Sequence, residues 1–144
     1  MDILYSLPLL QIHVTAVFTT LALVIISDLH GVLWMRGILK KLPERRMALL
    51  HKAVWTGLLF TISAGFIMFT SYPGYLLSLP AFQCKLLFIA FLLINAFVIG
   101  KHLRLAITEE FKSLPQKEKM LLIVSGIVST IGWIGAYTCA QFLS

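Results

Sequence analysis

Long stretches without any charge alternate along the chain with short, strongly basic ones. No Asp, Glu, Lys or Arg occurs from Ile3 to Ser27, from Ala53 to Cys84, from Leu86 to Gly100, or from Met120 to Ser144. A helix crosses the hydrocarbon core of a bilayer with about 20 apolar residues. The first and last runs therefore each supply one crossing. The second is too long for one, and Tyr72-Pro73-Gly74-Tyr75 breaks it with a turn signal, with Pro80 placed to open the next helix. The third run reaches crossing length once Ala81 to Lys85 is added. Four helices are predicted, over about 7–38, 46–71, 81–110 and 116–143. Period-2 alternation is absent, which argues against a β-barrel.

The expected fold is all-α: a polytopic membrane protein, an antiparallel four-helix transmembrane bundle formed by residues 1–144 as a single domain. Composition agrees. Charged residues make up 12% of the chain and hydrophobic ones 59%, against about 25% charge in soluble domains. A soluble monomer of this size could not hide so much apolar surface. Only 2 Cys are present, which excludes a disulfide scaffold. The N-terminus does not read as a signal peptide, because Asp2 stands where a basic start is expected.

Charge placement predicts orientation. Arg36, Lys40, Lys41, Arg45, Arg46 and Lys52 lie between the first two helices, and Lys101, Arg104, Lys112, Lys117 and Lys119 between the last two. Basic loops stay on the cytoplasmic side, so both termini are expected outside (N-out/C-out), in the cell's inner, cytoplasmic membrane. The net charge of +6 then needs no nucleic acid; anionic lipid headgroups suffice as partners, with Leu33 to Arg46 read as a basic helical extension. Tyr5, Tyr72, Tyr75 and Tyr137 fall at the outer boundary, as half of an aromatic belt. Ser113 with Gln116 reads as a capping box opening the last helix. Small-residue stripes, Ser125, Ser129, Gly132, Ala136 and Ala140 on the last helix and Gly57, Thr61 and Ala64 or Gly65 on the second, predict close helix packing.

Candidate chemistry rests on the polar residues inside the spans: His13, Asp28, His30, His51, Lys85, Asn95 and His102. At about 1.5 Å rise per residue, His30, His51 and His102 differ in depth by roughly 4–5 Å, near the cytoplasmic boundary. His13 lies about 25 Å away along the first helix, level with Lys85. Asn95 and His102, seven apart, share a face. Asp28 and His30 point to nearly opposite sides, which leaves Lys52 or Lys101 as the expected partner of Asp28.

Two facing imidazoles could ligate a haem b iron in an apolar pocket, with boundary cations pairing its propionates. Three could instead hold Zn, Cu or non-haem Fe for metal binding or transport. The bland alternative is interfacial histidines in a structural subunit of a larger membrane complex. A redox partner and homo-oligomerisation stay open in each case. Cys84 and Cys139 share the outer level, as a disulfide or as packed free thiols.

Leu10-Gln11-Ile12-His13 opening the first helix and Phe82-Gln83-Cys84-Lys85-Leu86 opening the third resemble small four-helix membrane proteins of the HemJ and CopD kind. The resemblance covers the whole architecture. HemJ proteins are haem-b-associated protoporphyrinogen oxidases. Their early histidine and early lysine would fall on His13 and Lys85, implying a haem ligand and a contact to a propionate or substrate. Val17 to Ile26 lacks the aromatic-glycine and Leu-Pro-Arg segment expected there, and Asn95 stands where such families often carry a further histidine. What the resemblance carries over is the tendency to bind haem b, and the expected function is that of a haem-b redox or electron-transfer protein acting on a porphyrin or quinone.

Overall fold

The computed structural model describes the backbone of residues 2–143 and the side chains of residues 7–143, so Tyr5 lies outside the described side chains. Helix α1 runs from Asp2 to Met35, α2 from Glu44 to Ser71, the short α3 from Pro73 to Ser78, α4 from Pro80 to Thr108 and α5 from Gln116 to Gln141; a 3-10 turn covers Phe111–Ser113. Four of these helices are long and apolar enough to cross a membrane: Leu7–Met35, Glu44–Ser71, Pro80–Thr108 and Gln116–Gln141, with mean hydropathies of 2.2, 1.7, 2.2 and 1.8. The chain is a multi-pass, all-α membrane protein.

Prolines set most of the boundaries. Pro43 precedes α2, Pro80 occupies the first turn of α4 and Pro115 precedes α5, where a missing N–H costs nothing. Two local expectations are corrected. The basic segment after Met35 is not a helical extension: Ile38 N donates to Leu33 O and Gly37 N to Trp34 O, with Gly37 at φ +75°. This is a Schellman closure, and only glycine takes the left-handed position cheaply. The Ser113–Gln116 capping box does not form, because the Ser113 hydroxyl donates to Glu110 O and α5 has no side-chain cap. The break expected at Tyr72–Tyr75 is present: α2 ends at Ser71, and the short helix α3 follows from Pro73.

The helices pair as two antiparallel hairpins, α1 with α2 and α4 with α5. Small residues make both seams. Thr20, 1% exposed, lies against Gly57. Across the second seam, Leu92 covers Gly132 and Phe88 covers Gly135. Hydrocarbon offers no hydrophobic drive for association, so such close approach is what holds helices together in a membrane. The hairpins join most firmly at the end carrying the basic loops, hereafter the basic end. There Trp34, Leu42, Met47, Ala106 and Leu114 form a buried cluster. The Trp34 indole donates to Glu109 O at 3.1 Å and meets the Phe111 ring edge-on at 5.3 Å, while Leu42 N donates to Ala106 O at 2.9 Å.

Candidate functional site

Polar side chains within the spans gather at two levels. At the end remote from the basic loops, the His13 ring of α1 turns toward α2, its Nδ1 3.1 Å from Thr61 O. A carbonyl only accepts, so Nδ1 carries the proton and donates; in the neutral ring Nε2 is left with a free lone pair. Gly65, one turn further along α2, gives the ring its room: a methyl there would stand 3.1 Å from Cε1. Thr61 Oγ1 is buried beside it without a hydrogen-bond partner.

From the other hairpin, Lys85 of α4 is near enough to interact electrostatically with His13 and with Cys139 of α5. Cys139 is near enough to Cys84 to interact with it electrostatically, and both thiols are free. The one salt bridge among the described residues lies elsewhere, so Lys85 has no described carboxylate opposite it. All four long helices therefore contribute to this level, which puts an imidazole, an ammonium and a thiol pair in one neighbourhood.

The histidines nearer the basic end do not converge. His30 turns back on its own helix, Nδ1 donating to Ile26 O at 2.7 Å. His102 does the same to Val98 O at 2.8 Å and places Nε2 3.2 Å from Glu118 Oε2 on α5. That oxygen is buried and accepts no aligned hydrogen bond, so the contact is a charge proximity rather than a directed bond. His51 crosses to α4, where Gly100 leaves it space; a methyl there would lie 2.9 Å from its Cε1 and Nε2. Beside it is a cavity of about 270 Å3 bounded by Trp55, Phe97 and Lys101. Among the described residues no three His, Cys, Asp or Glu side chains form a set able to hold a metal ion.

Asp28 and Asn95 bind neither a histidine nor a lysine. Asp28 Oδ2 lies 3.5 Å from Ser129 Oγ, so the expected partners Lys52 and Lys101 do not take that role. Asn95 closes on Ser125, donating Nδ2 to the backbone oxygen at 3.0 Å and accepting from the hydroxyl. Asn95 and His102 share a face, as their spacing predicts, and that face meets α5. Reading the sequence missed Thr61, Gly65 and Ser129 as partners. Their signal was the pair of small-residue stripes, which mark the same faces that carry the polar contacts.

Comparison with protein-family models, with curated proteins and with solved structures finds no match.

Proposed function

We propose that the protein is an integral-membrane, haem-b-binding redox protein whose site lies at the end remote from the basic loops, with His13 as iron ligand and Lys85 as the contact for a propionate or for a carboxylate-bearing substrate. The observation that carries this reading is the His13 ring. Its Nδ1–H is anchored on Thr61 O, which fixes the tautomer and leaves Nε2 for a metal; metal-ligating histidines are ordinarily oriented this way by an outer partner. Three further features favour it. Gly65 keeps side-chain bulk away from the ring, the Thr61 hydroxyl is buried and unpaired, and Lys85 lacks a described counter-ion. They suit a flat, anionic group.

Bound haem supplies one-electron iron chemistry that no side chain of this protein can perform. The chain's own residues do the rest. His13 would donate electron density from Nε2 while Thr61 O holds its ring. Lys85 would place a carboxylate by charge, in hydrocarbon that strengthens the pairing. The apolar flanks of α1 and α4 exclude water. With the basic end in the cytoplasm, this site faces the outer half of the cytoplasmic membrane, where a porphyrin, a quinone or a redox protein could reach it.

The absorption spectrum of the purified protein, oxidised and reduced, tests the proposal. A Soret band is expected, lost in His13→Ala and retained in His51→Ala and His102→Ala. Loss in either of the latter two instead moves the haem to the basic end. A colourless protein carrying stoichiometric Zn, Cu or Fe replaces the haem reading by that of a non-haem metal protein. Neither haem nor metal, after expression with haem supplied, overturns both and leaves a structural subunit.

A further inference from the structure

A groove of about 900 Å3 runs along the outside of the first hairpin, between α1 and α2. It extends on α1 from Pro8 to Leu23, about 22 Å at the helical rise of ~1.5 Å per residue. That exceeds one leaflet, half of a ~30 Å hydrocarbon core. Its size falls within the range of small-molecule sites, and His13 is not among the residues that line it.

The walls make almost no polar demand on an occupant. Thr19 Oγ1 donates to Thr15 O, Thr20 Oγ1 to Ala16 O and Thr56 Oγ1 to Lys52 O, at 2.8–2.9 Å. These hydroxyls are spent on their own helices, and the threonines present methyl groups instead. Gly57 deepens the floor, and Gln11 and Thr15, toward the far end, are the uncharged polar side chains that give no hydrogen bond to their own helix among the described residues. Charge enters at one place. Lys52 lines the groove toward the basic end, eight residues into α2, and Arg45 lies two turns before it on the same helix face. Neither forms a salt bridge among the described residues.

We propose that this groove is a retained-lipid site for one anionic phospholipid, its phosphate on Lys52 and Arg45 and an acyl chain along the threonine-lined wall. About 12 Å from the start of α2, Lys52 sits below the headgroup level, and its long apolar stem snorkels outward so that the ammonium meets the phosphate. The chain then descends beside Leu49 and Thr56. A ligand whose buried part needs many hydrogen bonds, such as a porphyrin, finds only Thr15 and Gln11 along this wall. The site is independent of what His13 binds.

Full-length protein purified in mild detergent is offered phosphatidylglycerol or phosphatidylcholine with identical acyl chains, and bound lipid is counted by native mass spectrometry. One phosphatidylglycerol per chain is expected, retained in preference to phosphatidylcholine. A juxtamembrane cation contributes about 1 kcal/mol toward anionic lipid, so Lys52→Gln should cut the preference about fivefold and Lys52→Gln/Arg45→Gln about 25-fold. Thr56→Phe, which fills the groove without touching a helix seam, should remove retention of both lipids. Equal retention of the two lipids, or a preference that survives both cation changes, overturns the proposal. So does a lipid-free dimer, which would assign the groove to a second copy of the chain.

Discussion

Gly57→Ala should destabilise the first hairpin even though alanine is the better helix former. The position is mid-helix, where replacing glycine by alanine ordinarily gains about 0.8–1 kcal/mol. Here the added methyl would overlap Thr20 Oγ1 and stand 3.1 Å from its Cγ2 and 3.2 Å from its Cβ. Thr20 cannot retreat: it is 1% exposed, its hydroxyl is bonded to Ala16 O at 2.8 Å, and rotation about χ1 only exchanges one branch for the other. Over-packing of this kind costs about 1–3 kcal/mol. Set against the propensity gain, the net loss is about 1 kcal/mol, read as a shift in the unfolding midpoint during SDS titration of protein in mixed micelles. Thr20→Ala/Gly57→Ala removes the overlap and should return to within about 0.5 kcal/mol of wild type, a coupling that independent sites do not show. A Gly57→Ala protein more stable than wild type, or additive single effects, would refute the close-packed seam.

Two further outcomes test other parts of the fold. Trp34→Ala should cost about 3–5 kcal/mol in the same titration, because it empties the core at the basic end and removes the bond to Glu109 O; an effect below 1 kcal/mol would mean the hairpins are not joined there. The Cys84 and Cys139 thiols lie close enough across α4 and α5 to interact electrostatically, so mild oxidation should protect both from maleimide labelling, and Cys84→Ser should leave Cys139 labelled; unchanged labelling of oxidised wild type would separate the two helices at that level.

The spans were legible because absence of charge over a crossing length has one cheap solution in a bilayer. The prolines at 43, 80 and 115 added usable boundaries. The segment after Met35 misled because Leu33, Trp34, Ile38 and Leu39 continue a helical apolar pattern; the opposing signal is Gly37, whose left-handed conformation ends the helix. Depth along a helix can also be counted from a turn, so the separation of His13 from the other three histidines was accessible. Facing across helices was not. His51 and His102 are drawn to different neighbours, Gly100 of α4 and Glu118 of α5, because packing fixes helix rotation, and packing is set by glycines and serines on partner helices. Asp28 shows the same limit: its hydrogen-bond partner, Ser129, is 101 positions away.

The Asn95 amide finds both its partners on Ser125, and this bears on how the chain enters the membrane. Helices α1 and α2 complete their packing seam from neighbouring sequence, although the Asp28 carboxyl of α1 meets its Ser129 partner only when α5 arrives. Helix α4 cannot do so alone, since its carboxamide would face hydrocarbon until α5 arrives. The second half is thus suited to insert as a pair, which then supplies Ser129 to the first hairpin.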